Sequence, residues 1–155
     1  MCAGSSSDLE IFHNGTNSLI DNYTGALLLR NNVSSDNGGN IVIQAKVNED
    51  SIVCNDDGAV ELYYNNQKKI ETTDTGVRIP DSQKYEVGDG ADLLLFHNGT
   101  NNYIRSENGT LYIDSSGGEQ MVTAIPNGAV ELYHNNVKKL HTFDSGVVVS
   151  QSRSE

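Results

Sequence analysis

Gly58-Ala-Val-Glu-Leu-Tyr-Tyr-Asn-Asn-Gln-Lys-Lys-Ile-Glu-Thr-Thr-Asp-Thr-Gly-Val77 recurs as Gly128-Ala-Val-Glu-Leu-Tyr-His-Asn-Asn-Val-Lys-Lys-Leu-His-Thr-Phe-Asp-Ser-Gly-Val147. Val60, Leu62 and Tyr64 alternate with Glu61 and Tyr63, and Val130, Leu132 and His134 alternate with Glu131 and Tyr133. A period of two is the signature of a strand with two unlike faces. Asn65-Asn66 and Asn135-Asn136 interrupt the alternation where a tight reversal tolerates positive φ. Gly58, Gly76, Gly128 and Gly146 mark the reversals on either side. The stretch therefore reads as a hairpin followed by a further turn. Val60, Leu62, Val130 and Leu132 are the residues expected to pack against other copies of the chain.

Outward from these two stretches the chain repeats in order. Asp8-Leu-Glu-Ile-Phe-His-Asn-Gly-Thr-Asn-Ser-Leu-Ile20 returns as Asp92-Leu-Leu-Leu-Phe-His-Asn-Gly-Thr-Asn-Asn-Tyr-Ile104, 84 positions later. Asn14-Gly15 and Asn98-Gly99 then read as two-residue type I′ turns. Thr24 to Leu29 returns as Asn108 to Ile113 at the same offset, and Ala26-Leu-Leu-Leu-Arg30 reads as a strand buried on both faces. The opening motif returns after only 70 positions, so the first copy carries about fourteen extra residues around Ile41–Ala45. Ser51–Cys54, Lys68–Thr73, Val77–Ile79 and Lys84–Val87 complete the expected strands. A flexible lead (1–7), a first β repeat unit (8–79), a connector (80–91), a second unit (92–149) and a tail (150–155) follow. The fold class is all-β: short antiparallel strands and hairpins in two tandem repeat units.

Composition narrows the function. Net charge is −11, which disfavours nucleic acid and anionic membrane surfaces as partners. No run approaches a membrane span, and the Met1–Ser7 start lacks the features of a signal peptide. Hydrophobic content is 36% and Trp is absent, which is thin for an independent core. Burial against copies of itself is the natural remedy. Cys2 and Cys54 sit in unlike contexts and are not expected to pair. The Asn-x-Ser/Thr triplets at Asn14, Asn22, Asn32, Asn98 and Asn108 read as turns.

Chemistry-bearing residues are weighed the same way. His13 and His97 occupy equivalent places beside turns. His134 and His141 flank the Asn135-Asn136 turn and are the weak candidates for a metal, approaching each other or meeting their copies on an axis. Asp8, Asp92, Asp74, Asp144, Glu61 and Glu131 recur at equivalent positions, which suits turns and solvated faces better than paired catalytic carboxylates. Asp36–Asn40 and Asn55–Gly58 lack the spaced carboxylates of a calcium loop. Tyr63, Tyr64, Tyr103, Tyr112 and Tyr133 suit a sheet or inter-chain seam, with sugar stacking as the other reading. Lys68-Lys69 and Lys138-Lys139 offset the acidic surface or pair across chains. No catalytic residue and no cofactor is expected.

Taken together, Asp-Leu-x-x-Phe-His-Asn-Gly-Thr-Asn, Gly-x-Leu-x-Ile and Gly-Ala-Val-Glu-Leu-Tyr-x-Asn-Asn-x-Lys-Lys, with lead-ins such as Val87–Asp92 and Glu49–Ile52, resemble the repeats of tail fibres and related virion fibres of marine and cyanobacterial tailed phages. The likeness covers residues 8–149. It implies an intertwined homotrimeric β-fibre, a virion location after synthesis in the host cytoplasm, other virion structural proteins as partners, and a non-enzymatic part in host attachment. The alternatives are a capsid-decorating or head fibre and a receptor module for host glycan or protein. The repeat starts at Asp8 and stops at Val149, which fits an excised segment or a small stand-alone fibre protein.

Overall fold

A computed structural model describes residues 2–3, 8–31 and 38–150; most of the expected lead and tail, Asn32 and the Asp36 loop lie outside the described residues. The chain divides into two compact units, Met1–Asn66 and Gln67–Glu155. The first holds β1 (Cys2–Ala3), β2 (Leu9–His13), β3 (Ser18–Asn22), β4 (Ile41–Lys46), β5 (Glu49–Cys54) and β6 (Val60–Tyr64). The second holds β7 (Gln67–Thr72), β8 (Val77–Arg78), β9 (Lys84–Val87), β10 (Leu93–His97), β11 (Asn102–Ser106), β12 (Leu111–Asp114), β13 (Gln120–Ala124), β14 (Val130–His134), β15 (Val137–Phe143) and β16 (Gly146–Val149). Among the described residues the fold is all-β and antiparallel, with no helix. Val137–His141, the nearest approach to a helical pattern, lies in β15.

Four sheets result, ordered β1-β2-β3, β4-β5-β6-β7-β8, β11-β10-β9 and β12-β13-β14-β15-β16. The two five-stranded sheets share their register. Ile52 faces Leu62 and Cys54 faces Val60 in one; Val122 faces Leu132 and Ala124 faces Val130 in the other. Turn chemistry explains where strands stop. Asn65, Asn66, Asn135 and Asn136 all have φ between 49° and 58°, the left-handed region that asparagine enters more readily than most residues. Asp57 (φ 49°) and Asn127 (φ 57°) make the turns that end at Gly58 and Gly128. A side chain at Gly128 would meet Ile125 Cγ2 at 2.9 Å, so that turn is closed by close approach.

Two expectations are corrected. Asn14 and Asn98 do not take positive φ; only Gly15 (φ 97°) and Gly99 (φ 91°) do. His13 pairs with Ser18 and His97 with Asn102, so each loop has four residues. The asparagine side chain organises it: Asn14 Oδ1 accepts from the N–H of Thr16 (3.0 Å) and Asn17 (2.8 Å), and Asn98 does the same for Thr100 and Asn101. A local carbonyl that satisfies two loop amides favours this longer loop over the tight one. The second correction is Ala26–Arg30, which is neither a strand nor buried. Its counterpart Leu111–Ile113 lies in β12, whereas β4 takes the corresponding seat beside β5.

Candidate functional site

Strand pairing sorts side chains onto faces, since directly opposed residues point the same way. In the sheet of β12 to β16 one row runs Ile113, Val122, Leu132, Leu140, Val149, apolar across all five strands. The neighbouring row on the other face runs Tyr112, Thr123, Glu131, His141, Val148. In the apolar row Leu132 is 40% exposed, Ile113 51% and Val149 65%, with Val122 and Leu140 half-buried. On the opposite face Thr123 is 4% exposed, and Glu131, Tyr133, Lys138 and His141 are half-buried. The sheet of β4 to β8 carries Ile43, Ile52 and Leu62 in one row, with Ile43 50% and Leu62 41% exposed. Val60, Leu62, Val130 and Leu132 thus share one face type and lie open in the single chain. Among the described residues only Val53 and Leu94 are buried apolar side chains. Burying one such aliphatic side chain is worth about 1.5–3 kcal/mol, so roughly half of that remains unrealised at Ile113, Leu132 and Val149.

The polar face is bonded locally. Glu131 Oε1 accepts from Lys138 Nζ at 2.8 Å and Glu131 Oε2 from the Tyr133 hydroxyl at 2.5 Å. Those two donors, Lys138 first, hold the Glu131 carboxyl below its usual range. The same bonds to Glu131 raise Tyr133 and Lys138. An ionised carboxylate with both oxygens engaged and an opposing cation is a clasp between β14 and β15. In the earlier copy Tyr63 donates to Glu61 at 2.6 Å, while Lys68 and Arg78 pair with Glu71, the residue that stands where His141 does. Glu-x-Tyr on one strand face with Lys across the turn was the sequence signal for this cluster. Taken one by one, these residues do not announce the cluster; only their shared face does. His141 Nδ1 is buried there without a hydrogen-bond partner among the described residues.

Register also corrects the His134–His141 expectation. His134 is opposed to Val137 and shares the face of Leu132; His141 is opposed to Glu131 on the other face. The register shift between Leu132 and Tyr133 puts one extra residue on β15 and so sets the two histidines on opposite faces; they do not converge within the chain, and no group of three His, Cys, Asp or Glu positioned for a metal occurs among the described residues. His141 instead contacts the Phe143 ring at 6.4 Å. His13 Nδ1 lies 3.4 Å from Ser18 Oγ, and His97 Nδ1 3.0 Å from Asp81 Oδ1. Asp92 takes the Asn108 amide at 2.5 Å. Cys54 is free and half-buried, and Lys69 donates to Gln83 at 2.6 Å.

The β11-β10-β9 sheet has unlike faces as well. Phe96 and Tyr103 stack with ring centres 4.7 Å apart, and the Arg105 guanidinium covers both at 5.0 and 5.1 Å. Leu94, in register with Arg105 on that face, is 1% exposed. The opposite face presents Tyr85, Leu95 and Ile104 in one open row. An open groove of about 600 Å³ includes Val77, Tyr85, Leu95, His97, Tyr103 and Ile104 in its lining. Among the described residues no helix is long and apolar enough to cross a membrane. No family model, curated protein or solved structure matches the chain.

Proposed function

We propose that the chain is a non-enzymatic segment of a phage virion fibre, two tandem β repeat units that assemble as an intertwined homotrimer exposed for host attachment. The observation that carries the assembly is the continuous apolar row Ile113–Val122–Leu132–Leu140–Val149, open at Ile113, Leu132 and Val149. A face of that kind is an interaction surface when left uncovered. Three copies turning these rows toward a common axis supply the core that one copy lacks. Matching local bonds support the repeat reading: Asp8 and Asp92 carbonyls accept from Tyr23 and Glu107, and Asn22 and Ser106 side chains both donate to two carbonyls of the following turn. The virion assignment rests on the sequence resemblance.

Fibre and decoration roles share this architecture. Immunogold labelling of purified particles separates a tail from a head position, and an unlabelled particle contradicts the virion role. Incubation with host envelope polysaccharide is expected to release no oligosaccharide; measurable release contradicts the non-enzymatic role. The Tyr85–Tyr103 groove favours host glycan recognition as a second reading, tested by glycan-array binding of the assembled protein.

A further inference from the structure

Ala26-Leu-Leu-Leu-Arg30 has the composition of a strand and, among the described residues, none of a strand's ladder bonds. Leu27, Leu28 and Leu29 are 46%, 60% and 64% exposed. Three consecutive open leucines on a chain with so few buried apolar side chains call for a partner. By sequence position they match Leu111, Tyr112 and Ile113, which lie in β12 and pair with Ala124, Thr123 and Val122 of β13. The residues matching those three β13 positions are Cys54, Val53 and Ile52 of β5. Their partners are already Ile41, Val42 and Ile43 of β4. One sheet thus has two candidate outer strands, and the later one in sequence holds the seat. The earlier one is left over.

The outer side of β4 is a sheet edge in the order β4-β5-β6-β7-β8, with main-chain donors and acceptors facing away from β5. Asn31 Nδ2 lies 3.3 Å from the Asn40 carbonyl, which brings the end of the spare segment to the start of β4. The five residues before Asn31 nevertheless form no ladder with their own β4. We infer that Ala26–Arg30 is a donated strand that adds to the β4 edge of a second copy of this chain. The segment supplies three apolar residues for the length of Ile41–Ile43, with exposed Val42 and Ile43 to pack on. A head-to-tail donation, in which each copy gives one strand and receives one, closes into a ring and leaves none of these edges bare. The inference rests on the homotrimer reading and adds the element that interlocks its copies.

Hydrogen exchange on the assembled full chain reads the donation directly. The amides of Leu27 to Arg30 are expected to exchange at least tenfold more slowly than in the Leu132→Asp chain, which is expected to be monomeric. Leu28→Pro removes one ladder N–H. It is expected to abolish assembly while β10 and β14 amides keep their protection; Leu28→Val is expected to assemble. Photo-crosslinking from position 28 in a mixture of ¹⁵N-labelled and unlabelled copies is expected to yield mixed-mass peptides containing β4. Only same-mass peptides would show the segment folding onto its own chain and overturn the inference. A trimer whose Leu27–Arg30 amides exchange freely overturns the donation alone. A chain that stays monomeric at every concentration overturns the homotrimer with it.

Discussion

The side-chain carbonyl of Asn136, in the β14–β15 turn, accepts the main-chain N–H of Gln120 at 2.8 Å, where β13 begins. Asn66 accepts from Asp50 at 2.8 Å in the matching place beside β5. One residue type therefore does two jobs: it tolerates the left-handed turn, and it ties the turn to the strand beyond.

The two jobs separate by substitution. Asn136→Gly keeps the turn and removes the bond, at an expected cost of about 1 kcal/mol. Asn136→Ala adds the left-handed penalty of roughly 1 kcal/mol more. Urea denaturation of both variants checks the order; an alanine variant as stable as the glycine variant contradicts it.

The Glu131 clasp gives stability a defined pH dependence. The Glu131 carboxyl is lowered from 4.5, so its contribution is present above that value and is lost as pH falls through the lower folded value. Tyr133 and Lys138 are raised from 10.0 and 10.5, so their contributions hold below those values and are lost as pH rises through the higher folded ones. Glu131→Gln is expected to flatten both flanks of the stability–pH curve. Thermal melts from pH 3 to 11 test this, and unchanged flanks contradict it.

Leu94 and Leu95 are neighbours on β10 with opposite surroundings, 1% and 55% exposed. Leu94→Ala is expected to cost about 2–5 kcal/mol at any protein concentration. Leu95→Ala is expected to matter chiefly where copies associate, so its effect grows with concentration. Equal, concentration-independent losses contradict this division.

Leu132→Asp places a charge in the open row of β14 and is expected to shift the protein from trimer to monomer while leaving strand content in circular dichroism unchanged. Tyr112→Asp, on the other face and 54% exposed, is the control and is expected to leave the trimer intact. Equal effects of the two on mass contradict the choice of face.

Much of this fold was legible because strand alternation and turn chemistry are local. Val60–Leu62 and Val130–Leu132 declared their face, and Asn65-Asn66 and Asn135-Asn136 declared the reversal. What failed depended on partners. Ala26–Arg30 has a strand's residues, but β4 occupies its seat, and composition cannot say which of two segments wins. Asn14-Gly15 looked like a tight turn because dipeptide preference does not count the loop amides that Asn14 satisfies. His134 and His141 looked adjacent across a turn, yet the β-bulge between Leu132 and Tyr133 shifts the register by one residue and places them on opposite faces. The Glu131–Tyr133–Lys138 clasp needed that same parity to be applied to charged residues.

Sedimentation equilibrium of the purified chain across a hundredfold dilution tests the central claim most directly. The account predicts a species of about three times the 16.8 kDa chain mass that persists through the dilution. A stable, folded monomer of 16.8 kDa, with Ile113, Leu132 and Val149 open to solvent, would contradict it.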